Sequence, residues 1–284
     1  MFALGGNSAI TYLYSEGPAV PPSCQLLQLS ADVRELGRTY PAAHACVGDI
    51  RASLRVLLPA LERKLAPHRA AILALRQAAA RGRAAQRVTR HQAAAAERDA
   101  PVTTPLVAAA EIVRAVGPRI AIVDEAPVTM RLVRGFLDSP SARQYFFMRS
   151  AILGWGMPAA VGVSLGLGRE PVVSLVGDGS SLYSPQALWT AARERLPVTF
   201  IVINNREYNI LKNYMRSQAH YRSARNDRFI GMDLTDPAID FVALAAAMGV
   251  PARRIERARE IAGAVEAGIA SGLPNLLEVR VSPA

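Results

Sequence analysis

The sequence predicts an α/β protein built on a mainly parallel sheet with helices on both faces. Three observations predict it. From about Pro101 to Ala284, β-rich runs alternate with helical patterns along the whole segment. The helical stretches are long enough to act as crossovers, which parallel strands need and antiparallel hairpins do not. Composition agrees: 51% hydrophobic residues with 20% charged residues of both signs make a folded globular chain and exclude one disordered along its length.

Taken in order, residues 1–61 read as an apolar run, glycines with a turn, a second apolar run from Gln25 to Ser30, and a loop with Gly37 and Pro41. A helix-like stretch from Asp49 to Leu61 follows. This segment resembles the last part of an α/β unit whose beginning is missing, and is expected to be a partial middle domain. Residues 62–100 are rich in Ala and Arg, strong helix formers, and are expected to form a helical linker interrupted at Gly82. Residues 101–284 then form the second domain. Strands are expected at Ile120 to Val123, Val172 to Val176, Val198 to Ile203 and Leu276 to Val281. Helices are expected at Pro158 to Leu167, Pro185 to Arg193, Ile239 to Met248 and Ala258 to Ala270.

Several function classes drop out on composition. Cys24 and Cys46 lack the clustered spacing of a zinc site or a redox pair. The N-terminus has no cationic n-region, and no run reaches the roughly 18 apolar residues of a membrane span, so no membrane partner is expected and the cytoplasm is the expected compartment. The net charge of +10 invites a nucleic-acid reading, with eight arginines between Arg63 and Arg98. Only Lys64 and Lys212 are lysines, however, and the Ala/Arg excess reads as compositional bias and a solvated linker face. Nucleic acid is not an expected partner.

In a parallel sheet, ligands sit beyond the carboxyl ends of the strands. There the sequence places Gly177-Asp178-Gly179-Ser180 after one strand and Asn204-Asn205-Arg206-Glu207-Tyr208 after the next. Adjacent parallel strands would set the Asp178 carboxylate beside the Asn205 amide oxygen. Both are hard oxygen donors suited to Mg2+, which takes few protein ligands and completes its shell with phosphate oxygens and water. Gly177 and Gly179 allow main chain to approach an anion closely, and Ser180 opens a turn toward the helix near Pro185, whose start has free N–H groups. Either motif alone is a common turn; paired across one helix, they are specific.

The run GDGSSLYSPQALWTAARERLPVTFIVINN resembles the diphosphate-binding signature of thiamine diphosphate (ThDP) dependent enzymes. With GWGMPAAVGVSLGL, IDFVALAAAMGV and LLEVRVSPA, the chain is most similar to the branch of 2-keto acid decarboxylases and carboligases, such as benzoylformate decarboxylase and acetolactate synthase large subunits. The resemblance implies ThDP and Mg2+ as cofactors. Asp178 and Asn205 would ligate the metal together with the backbone carbonyl of Glu207. Gly177, Gly179 and Ser180 would border the diphosphate, and Leu153 would be the apolar wedge that bends the cofactor. Glu125, Ala126 and Pro127 would belong to a loop touching the cofactor. Tyr183, Tyr208 and Leu211 would line the cofactor site, and Phe147 and Tyr214 the substrate pocket, although core packing accounts for Tyr183, Phe147, Leu211 and Tyr214 equally well.

The resemblance further implies a small 2-keto acid as substrate and a dimer or tetramer in the complete enzyme. It also implies a pyrimidine-binding domain, within the same enzyme or on a partner, that carries the catalytic glutamate. Nothing in the 284 residues resembles that domain, so no catalytic residue is assigned here. The chain is expected to be a fragment, inactive by itself. In benzoylformate decarboxylases the region matching TYLYSEGP carries a histidine; here Leu13 stands there. His220 is the nearest alternative, and Arg216, Arg222, Arg225 and Arg228 lie in a polar stretch expected to be a solvated loop or a site for a substrate carboxylate. Two other readings stand beside decarboxylation: an acetolactate-synthase-like carboligase, and a non-catalytic interaction module.

Overall fold

The computed structural model describes residues 1–6, 17–137, 141–148 and 152–283. The chain divides into two compact units, Met1–Arg81 and Gly82–Ala284.

In the first unit, β1 (Phe2–Leu4), β2 (Leu27–Ser30) and β3 (His44–Val47) pair in parallel in the order β1-β2-β3. Helix α1 (Ile50–Leu65) starts where the Asp49 carboxylate accepts the Ala52 N–H at 2.7 Å. No side chain of α1 is buried, and Val56 and Leu58 are exposed. Helix α2 (Arg69–Glu97) runs unbroken through Gly82, against the expected interruption. One glycine costs a helix about 1 kcal/mol, which the flanking alanines and arginines outweigh.

The second unit holds a six-stranded sheet in the order β5-β4-β6-β7-β9-β8, parallel throughout. After α2 come α3 (Pro105–Val116), β4 (Ala121–Glu125), α4 (Met130–Phe136), β5 (Tyr145–Phe147), α5 (Gly156–Gly166) and β6 (Val172–Gly177). The chain continues with the single turn α6 (Asp178–Ser181), α7 (Ala187–Glu194), β7 (Val198–Asn204), α8 (Asn209–Ser217) and α9 (Arg222–Asn226). It closes with α10 (Phe241–Ala247), β8 (Ala252–Ile255), α11 (Ala258–Ala270) and β9 (Asn275–Arg280).

Strands β6 and β7 and the first three residues of β4 are mostly apolar because both faces are covered, and the two-residue period then sorts them. Ile122, Val173, Leu175, Ile201 and Ile203 pack into one core with α3, α4 and α11. Val123, Val172, Val176, Val198, Phe200 and Val202 pack into the opposite core with α5, α7 and α10. The chain leaves β4 toward the edge strand β5 but leaves β6 toward β7 on the other side, so the loops after β4 and β6 diverge at a switch point.

Phe200 is fully buried in the second of these cores. Truncation to alanine is expected to cost about 3–5 kcal/mol of unfolding free energy in urea titrations, whereas exposed Leu58→Ala should shift it by about 0.5 kcal/mol or less.

Candidate functional site

Strands β6 and β7 run side by side, with Val176 opposite Val202 and Gly177 opposite Ile203, so the residues just beyond them meet at one edge of the sheet. A cavity of about 390 Å3 opens there. Its wall includes Leu153, Gly177, Asp178, Gly179, Ser180, Tyr183, Asn205, Glu207, Tyr208 and Leu211, together with Ala126 and Pro127 from the loop after β4. Twelve of the residues picked from sequence as candidates for the site and its cofactor loop are therefore brought together.

Asp178 is only 5% exposed and opens the helical turn α6. One carboxylate oxygen accepts the Gly179 N–H at 2.8 Å and the other the Arg206 N–H at 2.7 Å. Among the described residues no lysine or arginine pairs with it, and burial pushes its pKa up to about 6 despite these hydrogen bonds. A buried carboxylate facing a cavity without a cationic side chain is suited to a metal ion. The Asn205 amide oxygen, which also accepts the Glu207 N–H at 3.1 Å, supplies a second hard donor. The Glu207 carboxylate is already committed: it pairs with Lys212 and accepts from the Asn209 amide at 2.5 Å. Its main-chain carbonyl is what Glu207 has left to offer. The donor set thus fits a hard, mostly hydrated cation. Among the described residues no cluster of three or more His, Cys, Asp or Glu side chains offers a rival site.

The main chain after β7 is held by groups absent from the sequence-based site. Asn204 donates to Glu278 at 2.7 Å and accepts the Arg206 N–H at 3.0 Å, which places Arg206 at φ +63. Glu278, fully buried in β9, also accepts from Arg254 at 2.8 Å and Arg280 at 3.2 Å. Lys212, buried on α8, bridges Glu207 and Asp233, the latter at 2.6 Å. Burial alone would lower its pKa, but the two carboxylates raise it. One edge of the Tyr208 ring lies close on Gly179: a Cβ there would sit 2.5 Å from Cε1 and 2.9 Å from Cδ1, an approach that glycine permits. The sequence signals for these supports were a lone glutamate inside an apolar strand and one of only two lysines.

Three candidates are not in the cavity wall. Glu125 is buried beneath it, its carboxylate taken by main-chain N–H groups of Gly154 and Gly156. Phe147 lies under the Arg134 guanidinium at 4.2 Å, stacked on Tyr145. Tyr214 packs edge-on to Tyr221. His220 stacks edge-on with Tyr221 and does not line the cavity. Arg216 pairs with Asp227 and covers Phe229, and neither it nor Arg222, Arg225 or Arg228 lines the cavity. Their stretch is partly helical, as α8 and α9, rather than a plain loop. Leu13 lies outside the described residues.

Residues 127–279 match the model of the thiamine pyrophosphate enzyme C-terminal TPP binding domain, thiamine pyrophosphate being another name for ThDP. The chain belongs to the thiamine pyrophosphate enzymes. It is 31% identical over 267 residues to benzoylformate decarboxylase of Pseudomonas aeruginosa, covering 94% of this chain and 45% of that one. A Mycobacterium tuberculosis protein provisionally named an acetolactate synthase large subunit is 35% identical over 176 residues, 62% of this chain and 34% of that one. Among solved structures, the ThDP-dependent 4-hydroxybenzoylformate decarboxylase of Rhodococcus jostii RHA1 superposes with a TM-score of 0.72 at 25% identity. That match covers 96% of this chain and 47% of that one. The chain thus spans less than half the length of each of these relatives. Among the described residues no helix is long and apolar enough to cross a membrane.

The loop bearing Ala126 and Pro127 is anchored by Asp124, which is fully buried and accepts the Ala126 N–H at 3.0 Å and the Tyr145 hydroxyl at 2.7 Å. Burial raises its pKa to about 6, against the pull of these hydrogen bonds and of Arg134. The folded state therefore holds this proton more tightly than the unfolded chain does. Its contribution to stability is complete below the unfolded value of 3.8 and is lost as pH rises through about 6. Asp124→Asn should gain on wild type by about 2 kcal/mol between pH 4 and pH 7, read from urea unfolding of both proteins at each pH. A constant difference across that range would contradict this account.

Proposed function

We propose that the chain is the cofactor-binding part of a ThDP- and Mg2+-dependent enzyme that decarboxylates a 2-keto acid of the benzoylformate type. The observation that carries it is the meeting of Asp178, Asn205 and Glu207 at the edge of the cavity, beyond two adjacent parallel strands. Asp178, the Asn205 side chain and the Glu207 carbonyl would hold Mg2+, and Gly177, Gly179 and Ser180 would border the diphosphate. Tyr183, Tyr208 and Leu211 would line the rest of the cofactor site, and Leu153 would support its bend. ThDP, when bound, supplies an electron sink for the bond beside a 2-keto carbonyl. The protein's part here is to bind, orient and keep water from the organic end of the cofactor.

Turnover, in this reading, needs a glutamate from a pyrimidine-binding domain, whether in the same polypeptide or on a partner. The 284 residues by themselves would bind cofactor and not turn over. Dimers or tetramers of the complete enzyme, in the cytoplasm, belong to the same proposal. The similarity to acetolactate synthase large subunits supports a second reading, carboligation. Product analysis separates the two: an aldehyde marks decarboxylation, and a 2-hydroxy ketone or acetohydroxy acid marks carboligation.

The first test is calorimetric. Wild type should bind ThDP in the presence of Mg2+ and lose that binding in EDTA, and Asp178→Ala should show no Mg2+-dependent binding. Unchanged affinity in the variant would sink the metal assignment.

A further inference from the structure

Glu125 ends β4 and has no accessible surface, yet among the described residues it forms no ion pair. Its carboxylate is spent on main chain from a distant segment. One oxygen accepts the Gly154 N–H at 2.5 Å, the other accepts the Gly156 N–H, and the Trp155 N–H adds to the same anchor. Both carboxyl oxygens are engaged by N–H groups of one short turn, so this is a firm clamp. The approach is as close as main chain allows: a Cβ on Gly156 would lie 2.6 Å from the Glu125 Cβ and 2.8 Å from a carboxylate oxygen. The residue just before the clamped turn is Leu153, and Leu153 stands in the cavity wall while Glu125 does not. On its other side the turn lies against Tyr183 and Ser184: a Cβ on Gly154 would sit 2.8 Å from the Tyr183 Cβ and 3.0 Å from the Ser184 hydroxyl.

We propose that Glu125 is a positioning residue: by clamping residues 154–156 it holds Leu153 against the organic end of the bound cofactor. The proposal rests on the cofactor reading above. It assigns Glu125 a role distinct from contact with the cofactor, and distinct from the glutamate expected on a pyrimidine-binding domain. Losing the clamp leaves the buried Gly156 N–H and the half-buried Gly154 N–H unsatisfied, so the turn opens and the Leu153 wall loosens, while the Asp178 end of the cavity is untouched.

The test uses the full chain and Glu125→Gln, which keeps shape but turns an amide NH2 toward one of the donors. Hydrogen–deuterium exchange should show about tenfold or greater loss of protection at the amides of residues 154–156, with β6 and β7 unchanged. Calorimetry with Mg2+ present should show ThDP weakened about tenfold while inorganic diphosphate, which needs only the Asp178 end, binds as in wild type. Leu153→Ala should reproduce the ThDP loss with normal exchange at 154–156. Unchanged exchange in Glu125→Gln overturns the clamp, and an equal fall for both ligands overturns the positioning role in favour of general destabilisation. If Glu125→Gln unfolds, Leu153→Ala decides: wild-type ThDP affinity there overturns the proposal. Wild type that binds neither ligand overturns the cofactor reading itself, an outcome distinct from wild type that binds both while the variants do the same.

Discussion

A buried carboxylate must have its oxygens satisfied, and in this protein the carboxylates at the strand ends are satisfied largely by the main chain of the loops that form the site. Asp124 takes the Ala126 N–H, Glu125 takes those of Gly154 and Gly156, and Asp178 takes those of Gly179 and Arg206. Glu278 acts one step back, through Asn204, on the same Arg206 N–H. Each bond ties a loop to a strand end that is already fixed by the sheet register. The loops around the cavity therefore inherit the precision of the sheet, although none of them belongs to it.

The same constraint separates charge that is spent from charge that is available. Glu125, Glu207 and Glu278 all lie near the cavity, but main chain, Lys212 and two arginines account for them. Among the described residues Asp178 has no such side-chain partner, and burial alone pushes its pKa up. In a chain with an excess of ten positive charges, an acidic group left without a cation at a cavity marks the position where an external cation would lower the energy most.

Much of this was legible in the sequence, and the reasons are specific. Runs such as Val198 to Ile203 are visible because a strand buried on both faces is dominated by apolar residues, and helix α11 was read with its exact bounds. The strands β5 and β8 were missed because they are edge strands of three and four residues, and two adjacent arginines in β8 hide its period. Helix α3 was missed because its apolar residues nearly surround it. At the site, the paired motifs after β6 and β7 were legible because spacing along two neighbouring strands fixes position in space. The role of Glu125 was not: its partners lie 29 and 31 residues away, and nothing local tells a glutamate that faces a cavity from one that turns beneath it.

The distribution of burial across the cavity divides the work of the proposed function. Asp178, Gly179, Ser180 and Asn205 are buried, and the turns that carry them are hydrogen-bonded to each other and to Asn204 at the end of β7. Tyr183, Leu211 and Ile210, all apolar or aromatic, stand exposed around the same opening. An anionic diphosphate with its metal needs fixed dipoles and charges, which the buried side provides without reorganisation. Chemistry at the organic end instead requires that water be kept out, and exposed apolar side chains achieve that only when another surface covers them. In the proposed reading the cofactor's charged end is thus anchored by residues of this chain, while the reacting end is completed by a protein surface that brings the pyrimidine-side glutamate.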